Sequence, residues 1–155
     1  MANLKVATWN LYQFAVPGTY WYERDERNDY ETDQWEAKKA WIRNMLVELD
    51  ADVVGFQEIF SADAFKVFMA QEGYPHIATV AEPARDDDDP DVFIGPITGI
   101  ASRHPFVSEP AALEFPPELR NRTILEDSAT FRRAITRCEI DTPQLGPVVV
   151  YACHF

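Results

Sequence analysis

The stretch that most constrains the fold is ADVVGFQEIF, residues 51–60. Val53, Val54, Gly55 and Phe56 form a short, β-branched apolar run, the pattern of a buried strand. The run stops on Gln57 and Glu58, and a second apolar pair, Ile59 and Phe60, follows. A carboxylate is costly to bury without a partner. Glu58 at the end of a core strand therefore needs a physical reason.

The rest of the chain supplies neighbours for that strand. LKVATWNLY (4–12) reads as a first strand. Residues 14–31 form a long polar and aromatic loop, of a length usually tied to function. A helix is expected next, capped by Asp33 with Glu36 as its capping-box partner. Its apolar stripe would be Ala37, Trp41, Ile42, Met45, Leu46 and Leu49. Residues 50–58 make the second strand. Ser61 caps a second helix that buries Phe65, Phe68 and Met69, and Gly73 stops it. A short strand follows at 74–80, then an acidic loop at 85–91. The strand over 93–106 is broken at Pro96 and turned at His104–Pro105. Residues 108–130 read as irregular, and 131–140 with 146–155 as a hairpin. This order predicts an α/β fold of α+β type, with mixed sheets and helices outside. The length of 155 residues suits one domain, 1–155.

Bulk properties exclude some roles. No run of about 18 apolar residues exists, so no membrane span is expected. MANLKVATWN has no apolar signal-peptide core, and the expected location is cytoplasmic. Cys138 and Cys153 lie in apolar runs without metal spacing and are expected as buried thiols. The net charge of −12 opposes tight, unspecific binding to duplex nucleic acid or anionic membrane. Acidic segments 22–33 and 85–91 read as solvated loops, with metal capture as the other possibility.

Four polar residues share one pattern. Asn10 closes the first strand, Glu58 closes the second, Arg133 lies in the penultimate one and His154 closes the last. Strand ends of α/β sheets gather into clefts. A carboxylate and an amide oxygen are hard ligands that suit Mg²⁺ or Mn²⁺. An arginine offers a forked donor to phosphate, and a histidine can donate to phosphate or move protons. Blander roles fit the same residues. Glu58 could pair to a helix, Asn10 could lead a turn, His154 could be a core histidine, and Arg133 with Arg137 could make surface ion pairs.

Five stretches hold these residues: LKVATWNLY, ELDADVVGFQEIF, TGIASRHPF, FRRAITRCEI and VVVYACHF. In them the chain resembles the endonuclease/exonuclease/phosphatase superfamily, the DNase I-like metal-dependent phosphoesterases, over residues 4–155. The resemblance implies a two-sheet β-sandwich with outer helices. It makes Asn10 the metal-site amide and Glu58 the principal metal-ligating carboxylate. Arg133 becomes the arginine on the substrate phosphate, with Arg132 as the alternative register. His154 becomes the histidine that binds and polarises the scissile phosphate. The implied cofactor is Mg²⁺ or Mn²⁺. The implied substrate is a phosphate ester: nucleic acid, a phospholipid headgroup or a small phosphoester. The family's Asp-x-Asn pair, a later metal-binding Asp and a terminal Asp-His pair follow the stretch that VVVYACHF matches. The expectation is thus the N-terminal part of the domain, its C-terminal half absent, inactive alone. Two other readings are a non-catalytic binding or scaffold module on the same fold, and a metal-binding protein without hydrolysis.

Overall fold

A computed structural model describes residues 3–116, 118, 131–143 and 145–154. Of the stretch expected to be irregular, 108–130, residues 108–116 and 118 are described and include a two-residue strand, Ala111–Ala112; the remainder lies outside the described residues, as does Phe155. In chain order the elements are β1 (Val6–Phe14), β2 (Tyr20–Trp21), α1 (Thr32–Leu49), β3 (Val53–Ile59) and α2 (Ala62–Gln71). They continue with β4 (His76–Ala78), β5 (Ala84–Arg85), β6 (Val92–Gly95), β7 (Ile97–Ser102), β8 (Ala111–Ala112), β9 (Thr136–Thr142) and β10 (Gly146–Ala152).

The apolar run at 53–56 takes an inner position, as its composition requires. The main sheet has the order β1-β3-β7-β4, with β3 parallel to β1 and antiparallel to β7. A second sheet, β10-β9-β8, is antiparallel. Residues along β3 alternate between two cores. Val54 and Phe56 pack under the helices with Ile42, Leu46, Phe65 and Met69. Val53 joins Ile100, Cys138, Ile140 and Ala152 between the sheets. The result is a sandwich of two sheets with α1 and α2 outside the first. A third, small sheet has the order β2-β6-β5; β2 lies in the expected 14–31 loop and β5 at the edge of the acidic loop, while β6 is the part of the expected 93–106 strand that precedes Pro96.

Several local expectations change. Helix α1 starts earlier than Asp33, at the cap position of Glu31, whose N–H donates to Gln34 Oε1 at 3.0 Å. Asp33 lies inside the first turn and accepts from the Gln34 amide. The helix presents Trp35, Ile42 and Leu46 to the sheet. Ala37 and Trp41 are exposed, and Trp41 meets Trp9 edge to face at 5.1 Å. The Ser61 hydroxyl accepts from the Val16 amide instead of capping α2. Cys138 is buried, but Cys153 is only partly so. The acidic loop is drawn in by Arg24, which forks onto Asp89 at 2.6 Å and reaches Asp91 at 3.1 Å. No helix among the described residues is long and apolar enough to cross a membrane.

Candidate active site

Neighbouring strands β1 and β3 both break their alternation at the same end of the sheet. In β3, Glu58 has a left-handed backbone with φ +62°. One residue in that conformation resets the parity of the strand. Phe56 and Ile59, three positions apart, then face the same helix-side core. In β1, Tyr12 and Gln13 have φ +49° and +56°. There Leu11 and Phe14 share the helix-side core in the same way. The ladder between the strands shifts register in these intervals. Left-handed backbone at a non-glycine residue costs about 1–2 kcal/mol, and such strain concentrates at functional sites.

The two bulges serve one carboxylate. Glu58 Oε1 accepts from the Asn10 side-chain amide at 3.0 Å, and Glu58 Oε2 accepts from the Gln13 backbone N–H at 3.1 Å. Asn10 Oδ1 accepts from the Tyr12 N–H at 2.8 Å. Asn10 thus leads a turn, the blander of the roles open to it, and also holds Glu58. The Glu58 side chain is 15% exposed, and His154 Nε2 stands 3.8 Å from its Oε1.

His154 lies two residues beyond the end of β10. Its imidazole is held below its ordinary pKa by burial first and by the Arg133 charge second, with Glu58 opposing. Its Nδ1 is buried without a hydrogen-bond partner among the described residues. Arg133 does not sit in a strand, as the sequence suggested, but in the segment before β9. Thr98 anchors that segment by donating from Oγ1 to the Ala134 carbonyl at 3.0 Å. Phe131, Arg132, Arg133, Ile135, Cys153 and His154 line a pocket of about 280 Å³. Arg133 is partly buried and Arg132 exposed. The charge of Arg133 also opposes the effect of burial and of Glu58 on the Tyr22 phenol. Asn10, Glu58 and His154 are therefore brought together, and Arg133 stands within electrostatic reach of His154.

Sequence reasoning missed a cation close to this cluster. Lys38, partly buried on α1, donates to the Tyr12 carbonyl at 2.6 Å and to the Tyr30 hydroxyl at 2.9 Å. Burial lowers its ammonium to about 8, and the Glu58 carboxylate pulls the other way. The signal was present in the spacing. Lys38 falls on the row of Trp35 and Ile42, three and four residues away, where a buried helix face leaves little reason for a charge.

The donor chemistry fits a divalent cation. Glu58 is a largely buried carboxylate, backed by two N–H donors. Among the described residues its one salt-bridge neighbour is a histidine whose protonation is disfavoured. Such a charge is stabilised by a hard cation. Among the described residues no three His, Cys, Asp or Glu side chains form a metal cage. Among the described residues Glu58 would thus be the carboxylate this chain offers to the ion, and Mg²⁺ is commonly held through one or two carboxylates.

A two-sheet α+β sandwich with helices on one side and polar strand ends gathered at one cleft defines the structural class. The chain belongs to the Endonuclease/Exonuclease/phosphatase family, whose sequence profile matches residues 7–137. It is similar in fold to the crystal structure of an endonuclease/exonuclease/phosphatase from Beutenbergia cavernae DSM 12333. That similarity has a TM-score of 0.62 and 24% identity over 98% of this chain and 38% of that one. A second similar structure is an endonuclease/exonuclease/phosphatase family protein from Leptotrichia buccalis C-1013-b. There the TM-score is 0.54 and the identity 14%, over 99% of this chain and 55% of that one. The chain thus spans between about a third and just over half of these relatives' length. No curated protein matches it.

Proposed function

We propose that this chain carries the metal- and phosphate-binding part of a divalent-metal-dependent phosphoesterase. The proposal rests on one observation: a mostly buried Glu58, held by Asn10 and Gln13 and faced by His154, with no Lys or Arg in salt-bridge contact with it among the described residues. Glu58 would hold Mg²⁺ or Mn²⁺, with Asn10 fixing the carboxylate and offering the second lone pair of its Oδ1. The bound ion would supply Lewis-acid polarisation of the phosphoryl oxygens. Arg133 provides a forked donor for the phosphate from the wall of the cleft. His154, kept neutral near pH 7 by its burial, carries one N–H that can donate to a phosphate oxygen. Its Nδ1, without a partner among the described residues, is open to a further contact in the assembled site. No residue among those described is assigned to the activation of the attacking water; the chain spans 38% and 55% of the two structural relatives.

The substrate is read as a phosphodiester or phosphomonoester. The net charge of −12 disfavours unspecific duplex binding. The test uses the full-length protein with bis(4-nitrophenyl) phosphate and 4-nitrophenyl phosphate, with Mn²⁺ or Mg²⁺ and with EDTA. Release of nitrophenolate should need the metal and vanish in Glu58→Gln, and residues 1–155 alone should release none. A full-length protein that hydrolyses neither ester under any metal condition overturns the catalytic proposal.

A further inference from the structure

The left-handed pair Tyr12–Gln13 presents both of its N–H groups to the site: Tyr12 to Asn10 and Gln13 to Glu58. Its outer side carries a carbonyl, Tyr12 O, that the bulge has removed from the β-ladder. Two side chains converge on that one oxygen. Lys38 Nζ donates to it at 2.6 Å and Tyr30 Oη at 3.2 Å, while Lys38 also donates to Tyr30 Oη at 2.9 Å. The ammonium lies over the Tyr30 ring at 4.9 Å and the Tyr12 ring at 5.9 Å from their centroids. Tyr30 is seated in turn against Trp21 at 4.8 Å and Trp35 at 6.3 Å. A helix residue and a loop residue, both fixed by packing, thus clamp the peptide that turns toward the carboxylate.

We propose that Lys38 is a positioning residue: through the Tyr12 carbonyl it locks the Tyr12–Gln13 turn, and so holds Asn10 and Glu58 in their metal-receiving arrangement. The proposal rests on the metal reading of Glu58 given above. Lys38 does not touch metal or substrate. Its ammonium makes a charge-assisted bond to a carbonyl, and the held turn delivers two neutral N–H donors to the ligand side chains. Without the clamp, the Asn10 and Glu58 contacts alone hold the strained left-handed pair, and the turn loosens.

Hydrogen-exchange NMR and Mn²⁺ titration calorimetry on Lys38→Met test this. The Tyr12 and Gln13 amides should exchange about tenfold faster than in the wild type, while the Gly55 and Phe56 amides in β3 keep their rates. Mn²⁺ affinity should fall about tenfold, and Lys38→Arg, which keeps a cationic donor, should recover part of both. Tyr30→Phe removes one of the two donors and should give an intermediate exchange rate, which serves if Lys38→Met does not fold. Unchanged Tyr12 and Gln13 exchange beside intact wild-type Mn²⁺ binding overturns the role of Lys38 alone. A wild type that takes up no Mn²⁺ overturns the metal reading itself, and the part of Lys38 in it.

Discussion

Asn10 and Glu58, 48 positions apart in the chain, meet side chain to side chain at 3.0 Å. They occupy adjacent parallel strands, and Asn10 stands opposite Gln57 in the ladder. Regular alternation would send Glu58 toward the helix-side core beside Phe56. The left-handed backbone at Glu58 prevents that and leaves the carboxylate at the strand end, where an amide, a peptide N–H and an imidazole surround it. The reason for an acid after VVGF is therefore geometric. The chain leaves its β conformation at the residue where a charge is needed.

Replacing Asn10 with Asp sets two carboxylates against each other at a separation where one must protonate or find a cation. Asn10→Asp should lower the metal-free melting temperature by about 5 °C. Mn²⁺ should restore it and stabilise the variant more than the wild type. Thermal scans with EDTA and with Mn²⁺ check this, and an equal loss in both conditions counts against a cation at Glu58.

The two neighbouring arginines should separate cleanly in steady-state kinetics of the full-length protein. Arg133 is partly buried on the cleft and Arg132 is exposed. Arg133→Ala should reduce kcat/KM by about a hundredfold and Arg132→Ala by less than about threefold. The reverse ranking would assign the phosphate to Arg132.

Gly99 in β7 leaves room for the core beneath it. A Cβ there would stand 2.8 Å from Ile59 Cδ1, 3.0 Å from Phe65 Cε1 and 3.2 Å from the Ala78 carbonyl oxygen. The backbone oxygen cannot swing aside, so Gly99→Ala should destabilise by about 1–3 kcal/mol through overpacking. Urea denaturation measures it, and an unchanged midpoint would mean that the core has slack.

Asp50 ends α1 in the left-handed conformation, φ +42°, and accepts from Lys5 Nζ and from Arg103 Nη1. Those hydrogen bonds lower its carboxyl from the usual 3.8 to about 2. A lowered folded value means that the unfolded chain takes the proton first as pH falls. The contribution is thus complete above pH 3.8 and disappears as pH drops toward about 2. Asp50→Asn keeps a residue that tolerates this backbone and removes the charge. Its melting temperature should lie slightly below that of the wild type near neutral pH, converge with it in acid, and converge also in high salt because the pair is exposed. A gap that persists in acid would point to a lost contact other than the charge.

Burial pushes the Cys138 thiol up to about 11, while Cys153 is only partly covered. Iodoacetamide at about pH 8 should label the native chain at Cys153 alone, because the thiolate is the reactive form. Both residues should react once guanidinium unfolds the protein. Native labelling at Cys138, read by peptide mass, would show the inter-sheet core to be open.

Much of this architecture was legible in the sequence. The hairpin of β9 and β10 was foreshadowed by two apolar runs joined at DTPQL, and its register pairs Val148 with Ile140 and Val150 with Cys138. Helix α2 buries Phe65, Phe68 and Met69 as its spacing required. The apolar spacing of α1 sets its stripe on Ala37, Trp41, Met45 and Leu49 beside Ile42 and Leu46, whereas the packed face runs through Trp35, Ile42 and Leu46. The Trp41 indole instead covers Trp9 from the exposed side. The 14–31 loop hid a strand, β2, because two residues carry no readable period, and their partner β6 lies some seventy positions away.

Residue type and order settled where the buried strands lie, which helices cover them, and that Asn10, Glu58, Arg133 and His154 are polar groups at or near apolar strands. These follow from local hydrophobic pattern, which each segment carries on its own. Tertiary structure alone decided that Glu58, Tyr12 and Gln13 turn left-handed, that Asn10 grips the carboxylate, and that Lys38 reaches the outer side of the same turn. Non-glycine left-handed backbone is disfavoured in an isolated segment and persists only where surrounding contacts over-determine it. Those contacts come from residues far apart in the chain, so no local pattern could announce them.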